Sequence, residues 1–148
     1  MRMEPKNTKL LIVEDGPLTA LLYKDFLTGE GYAIRHVSQI EEATHQIETS
    51  SFDAILLDLN IQGSSGLNTL RTLALLTETP IVVLTGSIGE ETAREAKMLG
   101  AVDYLEKDNV RPDIVARVVG DAVVQHKKYR LKNIAERLES IRGGLVRG

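Results

Sequence analysis

The feature that most restricts the fold of this chain is a regular alternation between short apolar runs and helical apolar periods. Residues 10–13, 54–59 and 81–85 form short runs that are almost wholly apolar, as buried strands are. Two further runs, at residues 33–37 and 102–107, bring the number of predicted strands to five. Amphipathic segments with helical spacing separate them, which favours parallel strands covered by helices on both faces. The chain is therefore predicted to be an α/β domain with a doubly wound five-stranded parallel sheet, since a barrel needs more units.

The composition fits one soluble domain and excludes several classes of protein. The chain has 148 residues, of which 43% are hydrophobic and 26% are charged, so it can bury one core. A formal net charge of −3 gives no general attraction to nucleic acid or to an anionic membrane, and neither partner is expected. The absence of cysteine excludes disulfides, thiolate metal sites and cysteine nucleophiles. No apolar run approaches the roughly 20 residues that span a bilayer, and a cytoplasmic location is expected.

Five polar residues lie at the carboxyl ends of the predicted strands or directly after them, at the edge where parallel α/β sheets place their sites. They are, in chain order, Glu14, Asp15, Asp58, Thr85 and Lys107. Each alone is typical of a loop or of a helix cap, as Asp15 before Pro17 could be. Together, at the same edge of one sheet, they predict a chemical site.

These residue types indicate a magnesium-dependent phosphoryl acceptor. Clustered carboxylates repel one another, and a bound cation relieves the repulsion. Ligand oxygens without histidine or cysteine suit a hard ion, and Mg²⁺ fits best. We expect Glu14 and Asp15 to hold the metal, with Asp58 as both ligand and nucleophile toward phosphorus. Lys107 would neutralise charge on the transferred group, and the Thr85 hydroxyl would donate a hydrogen bond.

The same residues lie within four motifs that resemble those of a known family. The motifs are, in order, KLLIVEDGP, FDAILLDLNIQGSSGL, PIVVLTG and GAVDYLEKD. Their order and spacing, from Lys9 to Lys128, are similar to those of the response regulator receiver domain of two-component signalling. The resemblance implies a flavodoxin-like strand order, 2-1-3-4-5, with the site at the carboxyl edge of the sheet.

The resemblance also implies which residues accept the phosphoryl group and hold the metal. Asp58 matches the phosphoacceptor of the family. Glu14 and Asp15 match the acidic pair that binds Mg²⁺ together with Asp58. Asn60 matches the residue that lends its backbone carbonyl to the ion.

The remaining matches imply a switch and a donor. Lys107 corresponds to the catalytic lysine of the family, and Thr85 to the switch hydroxyl. Tyr104 corresponds to the aromatic switch residue, although a tyrosine in a strand also suits a plain core position. The donor implied is a histidine kinase or a phosphotransfer protein, and phosphorylation is expected to change a partner surface.

Three positions depart from the family pattern. Asp108 follows Lys107 where the family commonly has proline, and a cis peptide bond is cheap only before proline. Gln62 stands where a proline is frequent, and the acidic pair is Glu–Asp where Asp–Asp is commoner. None of these departures removes a reacting group, so phosphorylation is expected to remain possible.

Two other classes of function are open to such a sheet. An Mg²⁺-dependent aspartyl-nucleophile phosphotransferase or phosphatase would place a second aspartate two residues after Asp58, where this chain has Asn60. A non-phosphorylated receiver-like interaction domain would usually lack the acceptor or the acids, which this chain keeps. A signalling domain without turnover of an external substrate is favoured.

The three histidines of the chain are not spaced as metal ligands usually are, and we expect them on the surface: His36, His45 and His126.

The C-terminal region carries a heptad pattern. We expect an N-terminal tail at residues 1–8, a receiver domain at 9–128 and a helical extension at 129–148. Apolar residues recur in the extension at alternating spacings of three and four: Leu131, Ile134, Leu138, Ile141 and Leu145. The last helix is predicted to project past the domain as far as Arg142, before Gly143–Gly144.

The heptad pattern makes a homodimer through the last helix possible. In a parallel, in-register dimer Arg137 would face Arg142 of the other copy, and the two would repel. An antiparallel pairing, a continuation into an output domain, and packing of the helix back on its own domain are the alternatives. The basic residues between Lys127 and Lys132 are expected to form a solvated face.

Overall fold

The computed structural model describes residues 8–61, 66–86 and 89–147 of the chain. Its strands are β1 (Lys9–Val13), β2 (Ala33–Val37), β3 (Ala54–Leu57), β4 (Ile81–Thr85) and β5 (Ala101–Glu106). Its helices are α1 (Pro17–Gly29), α2 (Ile40–Thr49), α3 (Gly66–Leu76), α4 (Glu90–Met98) and α5 (Pro112–Arg147), with a short 3-10 helix at Lys107–Asn109. Gln62 and most of the expected N-terminal tail lie outside the described residues.

The strands form one parallel sheet in the order β2-β1-β3-β4-β5, which confirms the predicted fold and strand order. The central strands are buried almost throughout because helices cover both faces. Strand β3 ends at Leu57, so Asp58 already belongs to the loop. Strand β5 ends at Glu106, one residue earlier than expected, and Lys107 opens the 3-10 helix. Both functional candidates therefore lie just past the carboxyl end of a strand.

Alternate residues of each strand point to opposite faces of the sheet, and this divides the core in two. Leu11 and Val13 of β1 pack with apolar residues of α2, α3 and α4. Leu10 and Ile12 pack instead with those of α1 and α5. The two apolar layers hold the helices on both sides and leave the carboxyl edge of the sheet to polar residues.

A β-bulge interrupts the pairing of β4 with β5. The register shifts by one residue after Ile81, and Val102 is the extra residue on β5. As a result Tyr104 is paired with Val83. Residues paired across neighbouring strands point to the same face, so Tyr104 packs in the layer that contains Val83 and α4. Without the extra residue Tyr104 would point toward α1 and α5.

Helix α5 is longer than the sequence predicts. It runs unbroken through the 36 residues Pro112–Arg147, so the predicted end at Arg142 is wrong. Glycine weakens a helix but ends it chiefly where it adopts a left-handed conformation. Gly31 and Gly100 are the described glycines with left-handed φ angles, whereas Gly143–Gly144 continues the helix.

The two halves of α5 differ in burial. Its first half packs on the sheet, where Val123 is the last of the described side chains that is buried, and from Lys127 onward almost every described side chain is exposed. The expected boundary between residues 128 and 129 thus falls within a continuous helix. No helix in the described ranges combines the length and the apolar character that crossing a membrane requires.

Candidate functional site

Strand pairing brings the acidic residues together. Strands β1 and β3 are paired neighbours, with Val13 opposite Leu57. The next residues, Glu14 and Asp58, therefore lie side by side at the carboxyl edge. One carboxylate oxygen from each of Glu14, Asp15 and Asp58 lies within 4.8 Å of the other two. Glu14 and Asp58 are buried and Asp15 is half-buried, so the cluster is shielded from solvent except on the side of Asp15.

Three donors converge on the carboxylate of Asp58. Its Oδ1 accepts a hydrogen bond from the Asn60 N–H over 2.9 Å and another from the Thr85 hydroxyl over 2.8 Å. Its Oδ2 accepts one from the Lys107 ammonium over 3.0 Å. Asp58 is only 6% exposed, so these bonds form in a site with little water. The structure thus brings together the predicted acceptor, hydroxyl and lysine.

Lys107 reaches both buried acids although no proline follows it. Its ammonium group also donates to Oε1 of Glu14. The Lys107–Asp108 peptide bond is trans, as are all those described. The lysine side chain is 22% exposed, so it links the buried acids to the mouth of the site. Aspartate at position 108 therefore leaves the lysine within reach of Asp58.

The two buried acids differ in their affinity for protons. Burial raises the pKa of Glu14 from 4.5 to about 7, and the adjacent Asp58 adds to the rise. Burial acts in the same direction on Asp58, but its interactions with the adjacent Glu14 and with the Asn60 N–H lower its pKa overall. Burial opposes the charge of Lys107, yet its bonds to both acids raise its pKa. The site therefore favours the ionised form of Asp58 and the charged form of Lys107, while Glu14 holds a proton more tightly than a free glutamate does.

His36 supports the acidic cluster, and the sequence alone does not single it out. Its Nε2 lies 2.7 Å from the carbonyl oxygen of Glu14. The Glu14 N–H in turn donates to the carbonyl of Val37 over 3.0 Å, so the end of β2 holds the Glu14 backbone on both sides. His36 is half-buried rather than at the surface as expected. The one feature that could have indicated this contact is the pairing of His36 with Ile12 of β1, and that pairing can be inferred only when the strand order is known.

Tyr104 lies on the same face of the sheet as Thr85. The ring packs against the apolar layer that includes Val83. Its hydroxyl is buried and has no hydrogen-bond partner within the described part of the chain. Burial raises the pKa of this phenol, and the charge of Glu106 adds to the rise. The two predicted switch residues therefore share one packed layer, and one of them carries an unsatisfied polar atom.

Gly66 begins α3 directly against the loop that carries the acceptor. A Cβ atom at this position would lie 2.7 Å from the carbonyl oxygen of Leu59 and 2.9 Å from its Cβ. Both separations are shorter than real contacts, so only glycine lets α3 approach the loop this closely. Leu59 follows Asp58 directly, and the approach of α3 helps to fix the acceptor.

The acidic cluster offers the ligands that a hard divalent cation requires. Oε2 of Glu14 is buried and has no hydrogen-bond partner among the described residues. An unsatisfied carboxylate oxygen at this depth costs free energy unless a cation or a proton compensates it. A cluster made only of carboxylates suits Mg²⁺ better than a transition metal. The residues present therefore fit a magnesium ion.

Sequence comparison identifies the family. The response regulator receiver domain matches residues 10–119 of the chain. The chain is 32% identical over 127 residues to the cell cycle transcriptional regulator CtrA of Caulobacter vibrioides, which covers 85% of this chain and 54% of that protein. It is 32% identical over 116 residues to the transcriptional regulatory protein BaeR of Escherichia coli, with 78% and 48% covered. The chain spans about half the length of the curated relatives it matches.

Solved structures share the fold. A two-component response regulator from Clostridium difficile superposes with a TM-score of 0.74 and 26% identity, covering 80% of this chain and 97% of that one. A response regulator receiver domain protein from Methanospirillum hungatei gives a TM-score of 0.78 at 22% identity, covering 84% and 99%, which supports the fold alone. The family match contains every strand end of the site, from Glu14 to Lys107. The chain therefore belongs to the response regulator receiver domains, the signalling domains of two-component systems.

Proposed function

We propose that this receiver domain accepts a phosphoryl group on Asp58 from a phosphohistidine of a histidine kinase or a phosphotransfer protein. The observation that carries the proposal is the convergence of Lys107, Thr85 and the Asn60 N–H on one buried carboxylate. The neighbouring acids within 4.8 Å supply oxygen ligands for a metal ion. Membership of the family supports the same class of reaction.

The transfer forms one bond and breaks one. A carboxylate oxygen of Asp58 attacks phosphorus, the phosphorus–nitrogen bond of the donor breaks, and Asp58 becomes an acyl phosphate. The electron pair of the broken bond stays on the imidazole nitrogen. The lowered pKa of Asp58 supports this role because the attacking group must be ionised. Lys107, 3.0 Å from Oδ2, is placed to neutralise charge on the transferred group.

The proposed ligands of Mg²⁺ are the carboxylates of Glu14, Asp15 and Asp58 and the backbone carbonyl of Asn60. The ion would neutralise charge on the phosphoryl oxygens and on the acids themselves. The unpaired Oε2 of Glu14 supports a cation at this place. Because the pKa of Glu14 is raised to about 7, its proton would have to leave when it becomes a ligand.

Thr85 and Tyr104 form the proposed switch. The Thr85 hydroxyl bonds Oδ1 of Asp58 over 2.8 Å, so it is close enough to turn to a phosphoryl group on that residue. A buried tyrosine hydroxyl without a partner favours a second ring position in which it meets water. Two ring positions of similar free energy, biased by a charge at Asp58, would change the surface of α4 and β5.

The other two classes of function receive less support from the site. A phosphotransferase or phosphatase needs an acid two residues after Asp58, where Asn60 offers an amide. An interaction domain without phosphorylation has no use for an ionised carboxylate with three donors. We therefore propose a cytoplasmic signalling role, without direct binding to nucleic acid or to a membrane.

The test is incubation of the full chain with acetyl phosphate and Mg²⁺, followed by intact-protein mass spectrometry. One phosphoryl group is expected on the wild type and none on Asp58→Asn. Asp121→Asn, which neutralises an exposed carboxylate on α5, is the matched control and should still be phosphorylated. Incorporation that persists in Asp58→Asn, or that continues in a chelator of divalent cations, would contradict the proposal. Transfer from a phosphorylated histidine kinase with the same dependence on Asp58 would establish the donor class.

A further inference from the structure

The C-terminal half of α5 carries an apolar stripe that nothing in the described ranges covers. We call it the heptad stripe, and it consists of Leu131, Ile134, Leu138 and Ile141. These side chains are 67%, 48%, 61% and 61% exposed, respectively. Their spacing of three, four and three residues puts them on one face of the helix, at the a and d positions of a heptad. Exposed aliphatic side chains in one continuous row are typical of a surface that pairs with another helix.

Four of the five e and g positions between residues 128 and 142 are basic, and the fifth is Ala135 at an e position. In the heptad register, Lys128 and Arg142 occupy e positions, and Arg130 and Arg137 occupy g positions. All four side chains are exposed, and none of them forms an ion pair within residues 8–61, 66–86 and 89–147. Residues 127–142 contain six basic and two acidic residues, although the whole chain has a net charge of −3. The charge beside the stripe is thus concentrated and uncompensated.

This charge pattern disfavours a second copy of the chain as the occupant. In a parallel coiled coil each g position faces an e position of the other helix, which brings Arg137 against Arg142. In an antiparallel pair e faces e and g faces g, so basic side chains meet again. In both arrangements the facing e and g positions of the two copies carry like charges, whereas in stable coiled coils these positions normally carry opposite charges. The charges therefore disfavour a homodimer.

The shape of the stripe favours a helix over a lipid surface. A helix that lies in a membrane interface usually has a broad apolar face with bulky aromatic residues. Here the apolar face is the narrow a/d row of a coiled-coil seam, and all four of its members are aliphatic. Tyr129, the nearest aromatic residue, occupies an f position on the opposite side.

We propose that the heptad stripe binds an amphipathic helix of a partner protein that carries acidic residues at its e and g positions. The aliphatic row would pack against the apolar seam of that helix. The carboxylates of that helix would pair with the basic residues beside the stripe, and this pairing would select an acidic partner over a basic one. These basic residues are Lys128, Arg130, Arg137 and Arg142. The site lies beyond the buried half of α5 and does not depend on phosphorylation of Asp58.

The test measures binding of the full chain to two synthetic four-heptad helices by fluorescence anisotropy. Both probes have Ile at a and Leu at d, and one has Glu at every e and g position where the other has Lys. At low salt the acidic probe is expected to bind at least about tenfold more tightly than the basic one, and the preference should shrink in high salt. The double variant Arg130→Glu/Arg137→Glu should reverse the preference. Arg71→Glu, an exposed charge reversal on α3, should leave it unchanged.

A substitution in the stripe itself separates packing from charge. Leu138→Ser should weaken binding of the acidic probe about tenfold or more, whereas Leu75→Ser, which removes an 80% exposed leucine from α3, should not. Equal affinity for both probes would overturn the proposal. So would a stable homodimer in sedimentation equilibrium that Leu138→Ser dissociates. Binding to phosphatidylserine vesicles that matches or exceeds binding to the acidic probe would also overturn it.

Discussion

Nζ of Lys107 lies 3.0 Å from Oδ2 of Asp58, although 49 positions separate the two residues in the chain. The residues follow β5 and β3, and β4 lies between these strands in the sheet. The lysine thus reaches across the end of a whole strand, over the position of Thr85. A parallel sheet makes this possible because it aligns the carboxyl ends of its strands at one edge.

Removing the charge of Lys107 should slow phosphorylation without removing the acceptor. Lys107→Met keeps the length of the side chain but deprives the transferred group of a placed cation. The initial rate of incorporation from acetyl phosphate at saturating Mg²⁺ is expected to fall about a hundredfold. Lys97→Met, on the exposed side of α4, is the control and should react like the wild type. A rate in Lys107→Met close to that of the wild type would exclude a role for the ammonium group in the transfer.

The raised pKa of Glu14 should make the stability of the metal-free protein depend on pH. Below about pH 4.5 Glu14 is protonated in both the folded and the unfolded chain. Between 4.5 and about 7 the folded chain keeps the proton and the unfolded chain releases it, so stability falls as pH rises through this window. The loss should reach up to about 3 kcal/mol.

This pH dependence can be measured by urea unfolding in the presence of a chelator at several pH values. Glu14→Gln resembles the protonated acid and should flatten the profile. Adding Mg²⁺ should restore stability most at the high end of the window, where the proton is lost most easily. A profile in Glu14→Gln as steep as that of the wild type would assign the effect to another group.

Gly66 should tolerate no side chain. In Gly66→Ala the new Cβ would press on the carbonyl of Leu59 at 2.7 Å, so α3 or the acceptor loop must move. A loss of about 1–3 kcal/mol in the free energy of unfolding is expected, with slower phosphorylation of Asp58. Gly29→Ala is the control: a Cβ there meets nothing within 4 Å, and it should be neutral or slightly stabilising. Equal stability of the two variants would mean that α3 does not press on the loop.

Tyr104→Phe should stabilise the domain. The substitution removes a buried hydroxyl without a hydrogen-bond partner and keeps the packed ring. The free energy of unfolding is expected to rise by about 1 kcal/mol, because the unsatisfied group no longer has to be desolvated. Denaturant unfolding of the unphosphorylated chain measures this gain. A decrease in stability would show that the hydroxyl contributes a favourable contact.

The sequence predicts the fold and most of the candidate site for one physical reason. Short apolar runs that alternate with helical periods are typical of a parallel sheet covered by helices on both faces. Such a sheet brings the carboxyl ends of its strands together at one edge. The sequence pattern alone therefore predicts that Glu14, Asp58, Thr85 and Lys107 lie together. The roles assigned to them, and the switch role of Tyr104, stay predictions for the experiments above.

Features that depend on register or on tertiary contact could not be predicted. The contact of His36 with the Glu14 carbonyl follows from β2 lying beside β1, which no local pattern encodes. The bulge at Val102 decides which face Tyr104 occupies, and a single inserted residue leaves no apolar signature. The continuation of α5 through Gly143–Gly144 is also missed, because glycine lowers helix propensity wherever its backbone remains helical.

Helix α5 gives the domain a lever. It begins five residues after Lys107 and continues well past Val123, the last of its described side chains that is buried. At about 1.5 Å per residue, the part beyond Val123 is roughly 36 Å long. A tilt of about 5° at the anchored half would carry the tip through about 3 Å. A displacement of about one bond length at the start of α5, beside the acidic cluster, would thus become a step about twice as large at the distant end, without any change in the helix itself.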